Sequence, residues 1–244
     1  MVTRLNQYGQ PIGAAMDGWS VRPRPPRTDM LGRYCRLEPV NVERHAADLF
    51  AAYMEAPDDR DWTYLSFERP RTPEEFGSHL AKLHKSEDPL HFAIVDADTH
   101  KAVGTAAFMR IEPAHGVIEV GSITFSPRLK RTRAATEAMY LMMSRAFDEL
   151  GYRRYEWKCD TLHAPSRSAA RRYGFTFEGI FRNAIVYKGR SRDTAWHSIT
   201  QQEWPRIRDA FQAWLDPANF DAQGNQKRPL QARLASDAVG ESAT

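Results

Sequence analysis

The chain has 244 residues, is 42% hydrophobic with six Trp and twelve Phe, and carries a net charge of only +3. That length suits one domain of about 150–200 residues with tails, and the charge gives little reason to expect nucleic acid as a partner. No apolar run approaches the roughly 18 residues of a membrane span, and the N-terminus lacks a signal-peptide core, so a cytoplasmic protein without membrane partners is expected.

Residues 1–30 are rich in Gly, Pro and Arg, with SVRPRPPRTD at 20–29. Such a segment favours extended structure and builds no core alone; Trp19 within it predicts a strap lying on the domain. Tyr34 to Leu37 alternates as a strand does. Val42 to Met54 reads as an amphipathic helix with Leu49, Phe50 and Tyr53 on one side. Asp58, Asp59 and Asp61 then lead into the aromatic group Trp62, Tyr64 and Phe67. Thr72-Pro73-Glu74-Glu75 is a helix start, with a capping Thr, Pro in the first turn and acids beside the positive end of the dipole.

Strands are expected over His91–Asp96, Lys101–Ile111 and Val117–Phe125, joined by turns at 97–100 and 113–116. A helix from about Thr132 to Leu150 ends at Gly151. The strand Arg154–Cys159, a helix over Pro165–Tyr173 and strands near Phe175, Ile185 and Trp196 follow. Interspersed helices and strands with short turns predict an α/β (α+β) sheet with helices on both faces, spanning residues 31–200. Residues 201–227 read as a helical extension, whose Trp204, Phe211, Trp214 and Phe220 could cover this domain or a second copy in a homodimer. Residues 228–244 read as a mobile tail. Cys35 and Cys159, the only cysteines, sit in apolar strand contexts and read as reduced core thiols. No spacing of His, Cys or carboxylates suggests a metal.

Between the strand ending at Phe125 and the helix from Thr132 lie Arg128, Lys130, Arg131 and Arg133, four cations in six residues. A helix N-terminus presents free N–H groups and partial positive charge, so this junction is a natural seat for a pyrophosphate. The backbone of Arg131, Thr132, Arg133, Ala134 and Ala135 could wrap such an anion. Cations at a helix start are otherwise mildly unfavourable, so their concentration asks for a counter-charge.

These residues resemble the GNAT acetyltransferase superfamily, and within it the branch of ribosomal-protein N-terminal acetyltransferases. The family loop [QR]-x-x-G-x-[GA] is matched here by Lys130, Arg133 and Ala135, followed by Thr136-Glu137-Ala138 as in that branch's ATEA. The second signature, Asn, then Ser three residues later, then Gly-Phe, is matched by His163, Ser166 and Gly174-Phe175. Arg133 stands where the family has Gly, and His163 where it has Asn. The resemblance implies a mostly antiparallel mixed sheet with a splayed central strand pair, and acetyl-CoA as the acetyl donor. It further implies main-chain contacts from Ile123 and Phe125 to the pantetheine arm, a contact from His163 to a pantetheine amide, and a place for Ser166 beside the leaving thiolate. Tyr173 lies too close to Gly174 for the family's Tyr acid and reads as core.

Acyl transfer from a thioester to an amine also needs a base. Glu119, among apolar strand residues, would be pushed toward the neutral form by desolvation, which suits that role. It reads equally as a strand carboxylate paired to Arg110 or Arg36. Gly121-Ser122 marks a bulge or simply a packing glycine. Ser166 could instead cap its own helix. The aspartates and aromatics at 58–67 could receive a cationic amine or close the core beneath a loop. The expected activity is acetyl transfer to a primary amine, with a protein N-terminal α-amine favoured and a small-molecule amine next. A catalytically silent acyl-CoA-binding module is the remaining alternative.

Overall fold

The computed structural model describes residues 4–232. An eight-stranded sheet runs in the order β3-β4-β5-β6-β7-β8-β10-β9. Its strands are β3 (Met30–Leu31), β4 (Cys35–Pro39), β5 (Leu90–Asp96), β6 (Ala102–Glu112), β7 (Val117–Phe125), β8 (Arg154–Asp160), β9 (Thr176–Tyr187) and β10 (Arg190–Thr200). All neighbours pair antiparallel except β7 and β8, which are parallel. A two-stranded hairpin, β1 (Arg4–Leu5) with β2 (Pro11–Ile12), precedes the sheet.

Helices cover both faces. On one face α1 (Val42–Met54) and α2 (Pro73–Lys85) pack Leu49, Tyr53, Phe76 and Leu80 on Ala93, Val95 and Ala102. Each begins with a side-chain cap: Asn41 accepts from Arg44 N–H and Thr72 from Glu75 N–H. On the other face α3 (Arg133–Ser144) and α4 (Ala164–Arg172) bury Ala138, Met139, Met142 and Ala170 against Phe108, Ile118, Tyr155 and Phe175. The expected single helix to Leu150 changes character at Arg145, where a wider π turn runs to Glu149. Gly151, at φ +69°, ends it.

The extension forms α5 (Trp204–Leu215). Trp204, Phe211, Trp214 and Phe220 are all buried within their own chain, so these aromatics cover their own domain. Of the tail expected to be mobile from residue 228, the described residues up to 232 are held against the domain. Leu230 packs on the core and Ala232 is fully buried, its carbonyl accepting from Arg206. Residues 233–244 lie outside the described residues.

Residues 16–30 run along the domain. Trp19 Nε1 donates to the Ala114 carbonyl at 3.0 Å, and the Arg22 guanidinium stacks 4.5 Å from the indole centroid. A Cβ on Gly116, already at φ +61°, would come within 2.6 Å of the indole, so the β6–β7 turn needs glycine both for its backbone and for this contact. Arg145 binds the carbonyls of Thr28 and Asp29. Removal of residues 1–20 is therefore expected to lower the melting temperature. The stabilisation that CoA adds should persist, because Trp19 contacts the β6–β7 turn. Melts of both forms with and without CoA check this; loss of the CoA increment would contradict it.

Candidate active site

The parallel pair β7–β8 is matched only from Val117 with Arg154 to Val120 with Trp157. Beyond it, residues 121–125 and 158–160 have no partner in each other, and the two strands diverge into a V. A bulge on β7 accompanies the divergence: pairing to β6 skips between Thr105 and Ala107, and Ser122 sits at φ +50°. Ser126 N–H turns toward Val103 on β6. Strand alternation then directs the backbone of Phe125 and Ile123 to the opposite side, into the V.

The loop at the mouth of the V is built differently from the sequence expectation. Thr132 caps α3, its hydroxyl accepting from Ala135 N–H at 3.1 Å and donating to Leu129 O at 2.7 Å. Thr132 N–H itself goes to Leu129 O. The amides of Thr132 and Ala135 are thus committed within the loop, while those of Arg131, Arg133 and Ala134 find no acceptor among the described residues. The cations are also mostly committed: Arg128 pairs with Glu55 and Lys130 with Asp61. Arg133 turns its guanidinium onto Tyr34 and Phe220, 4.5 and 5.1 Å from the ring centroids. That orientation lets an Arg stand in the family's Gly position without filling the anion seat. Arg131, exposed and at φ +63°, is the one loop cation without a partner among the described residues.

Glu119 is 4% exposed, on the face of β7 that bears α1 and α2 farther along the sheet. Burial raises its pKa, while Lys158 and Arg110 pull it back. Lys158 Nζ lies 2.9 Å away and Arg110 Nε 3.6 Å. The expected Arg110 partner is present; Arg36 instead binds Glu38. Lys158, Glu156 and Trp196, which complete the surroundings of Glu119, were missed. Glu156 and Lys158 are two apart on β8 and so share a face, but only the parallel register reveals that this is Glu119's face.

Ser166 lies on the opposite face. Its Oγ accepts from Trp157 Nε1 at 3.0 Å beside Cys159, and Trp157 and Cys159 belong to the core under α3. It does not cap α4, whose N-cap is His163 with no side-chain cap bond. Glu119 and Ser166 therefore flank the V from its two sides and do not touch. Tyr173 is buried in the core, as expected.

The segment 60–64 bridges the mouth. Asp61 reaches Lys130 on the loop before α3, and Tyr64 stacks on His163 at 4.3 Å between centroids. Lys188, in the β9–β10 turn, donates to the Trp62 carbonyl at 2.8 Å. The half-buried His163 ring is thus packed, with burial lowering its pKa. Trp62 is core, against Tyr53, and Phe67 stacks on His79. Asp58 binds Arg60 and Asp59 binds Arg71, so with Asp61 all three aspartates are paired to cations of this chain. No cluster of three or more His, Cys, Asp or Glu suited to a metal occurs among the described residues, and no helix there is long and apolar enough to cross a membrane.

Residues 35–176 match the family model described as Acetyltransferase (GNAT) domain. A GCN5-related N-acetyltransferase structure from Brucella melitensis is 51% identical, with a TM-score of 0.87 over 88% of this chain and 98% of that one. A probable GNAT-family acetyltransferase structure from Chromobacterium violaceum ATCC 12472 is 39% identical, with a TM-score of 0.74 over 80% of this chain and 98% of that one. The uncharacterized N-acetyltransferase YnaD of Bacillus subtilis (strain 168) is 23% identical over 54% of this chain and 76% of its own length. On these matches the chain belongs to the GNAT family as an acetyl-CoA-dependent N-acetyltransferase.

Proposed function

We propose that this enzyme acetylates a primary amine, with Glu119 as the base and a protein N-terminal α-amine as the favoured acceptor. The observation that carries the base assignment is a nearly buried carboxylate one residue before Val120, the last β7 residue paired to β8. The Ile123 and Phe125 backbones offer the pantetheine arm an edge to pair with, and the free amides of Arg131, Arg133 and Ala134 face the pyrophosphate. The amine nitrogen attacks the thioester carbon, the N–C bond forms and the C–S bond breaks. Glu119 takes the amine proton, and Ser166 stands on the thiolate side. The resemblance at 130–138 supports the N-terminal acceptor; a small-molecule amine is the second reading. The paired state of Asp58, Asp59 and Asp61 argues against the 58–61 loop as the recognition site for a cationic acceptor. Two free, buried cysteines accord with a reducing compartment such as the cytoplasm.

The helix-start seat is tested with Arg131→Glu, which reverses the one uncommitted loop cation. CoA affinity by calorimetry is expected to fall about tenfold or more, in keeping with a lost charge-assisted contact to phosphate. An unchanged affinity would put the pyrophosphate elsewhere. The acceptor class is settled by thiol release from acetyl-CoA over a panel of N-terminal peptides and small amines: turnover of small amines alone would sink the N-terminal reading, and turnover of none would favour a silent acyl-CoA-binding module.

A further inference from the structure

Lys158 is the first residue of β8 past the last parallel pair, so it stands at the apex of the V. Its side chain is only 7% exposed, a condition in which lysines are found paired. The Nζ lies 2.9 Å from Glu119 and 2.6 Å from Glu156. The face of Trp196 covers it, 3.8 Å from Nζ to the ring centroid. Glu119 and Glu156 are register partners across β7 and β8. Without a cation between them, two buried carboxylates would face each other, and one would hold a proton.

The other groups facing Glu119 are few. From β6 comes Arg110, at 3.6 Å and 55% exposed, where solvent weakens its pull. From β8, Glu156 raises the proton affinity of Glu119, and Glu156 is itself held by Arg154 at 2.6 Å. Arg154 in turn binds Glu178 of β9, to which Ser198 of β10 donates. Trp196, also on β10, contributes its ring face.

We propose that Lys158 is a positioning residue for the acetyl transfer: it holds Glu119 ionised and aimed at the V, and its division between Glu119 and Glu156 sets the pH at which Glu119 can take the amine proton. This rests on Glu119 being the base. An ammonium given wholly to Glu119 would make it a poor base, and none at all would leave it protonated. Sharing with Glu156 places it between these limits. The proton passes from the amine nitrogen to Glu119.

The two neighbours must then act with opposite sign, which a merely structural role would not produce. Removing Lys158 takes away an opposite charge and raises the pKa of Glu119, so the acid limb of kcat/KM moves to higher pH. Removing the charge of Glu156 takes away a like charge and frees Lys158 for Glu119, so the limb moves to lower pH. In Lys158→Met the limb is expected to rise by about one pH unit or more. The rate on that limb should fall about tenfold per unit and recover at high pH, with the KM for acetyl-CoA unchanged. Glu156→Gln is expected to shift the limb downward, and Lys158→Arg to return it toward the wild-type position. Unmoved limbs in Lys158→Met and Glu156→Gln, with Glu119→Gln still impaired, would overturn the positioning role and leave the base assignment standing. A fully active Glu119→Gln would overturn both. If Lys158→Met does not fold, Glu156→Gln carries the test alone, and an unshifted limb there overturns the proposal.

Discussion

Glu119→Gln is expected to lower kcat by about 10²–10⁴-fold, the usual cost of losing a general base, while CoA affinity stays close to wild type. The substitution keeps the size and shape of the side chain. It removes the basicity of a carboxylate that lies beside both the bulge and the apex of the V. Glu119 loses solvent to burial and is drawn back toward ionisation by Lys158 and Arg110, with burial the larger influence. A raised pKa means that the carboxylate takes up its proton as the pH falls through that raised value, so the wild-type rate should show an acid limb above the ordinary range of a glutamate. Glu119→Gln should abolish that limb. Ser166→Ala should instead slow thiolate departure and keep the limb, because Ser166 lies behind the V against Trp157. Melting curves must accompany both, since loss of the Trp157–Ser166 bond unsettles the packing of α4 on β8. Wild-type turnover by Glu119→Gln with its acid limb intact would point to an amine that arrives already neutral, leaving the protein to supply proximity and carbonyl polarisation.

The fold was largely legible in the sequence because its signals are local. The caps at Asn41, Thr72 and Thr132, the turn before Val117 and the glycine at 151 each act over a few residues, and the predicted elements follow them. The site was legible only where it too is local. The strand–loop–helix junction and the bulge at Gly121-Ser122 announce themselves in short motifs. The electrostatics do not. Four cations near a helix start suggested a strongly positive seat, but Glu55, Asp61 and two aromatic rings, all distant in the sequence, engage three of them. Lys158 was invisible for the same reason: it looks like an ordinary strand lysine until the parallel register sets Glu119 beside Glu156. The partners of a charged side chain are decided by tertiary contacts, and composition carries no record of them.

Glu137 shows the same lesson from the side of stability, and its removal should have the largest effect on folding. It belongs to the ATEA segment, which in the sequence carries only a family resemblance. Its carboxylate is instead 5% exposed and accepts from the backbone N–H groups of Arg33, Tyr34 and Cys35 at 2.8, 2.6 and 2.8 Å. It thereby ties the β3–β4 turn to the second turn of α3, the helix whose first amides face the proposed anion seat. It also adds to burial in raising the pKa of the Cys35 thiol. Hydrogen bonds to a charged acceptor contribute roughly 1.5–3 kcal/mol each, and a buried donor left unpaired costs about 1–3 kcal/mol. Three bonds sharing one carboxylate are not additive, so Glu137→Ala is expected to cost about 3–5 kcal/mol in total. For a domain of this size that corresponds to a fall of roughly 10 °C in melting temperature. Gly32→Ala attacks the same contact from the other side, because its Cβ would collide with Glu137 Oε2 and lie 2.8 Å from the Cys35 carbonyl. Both variants should melt low, and the double variant should lose much less than the sum, since each already breaks the contact that the other would break. Saturating CoA should still stabilise whatever folds, because the amides of Arg131, Arg133 and Ala134 remain in place. A Glu137→Ala protein that melts with the wild type would show that the three amides find other partners.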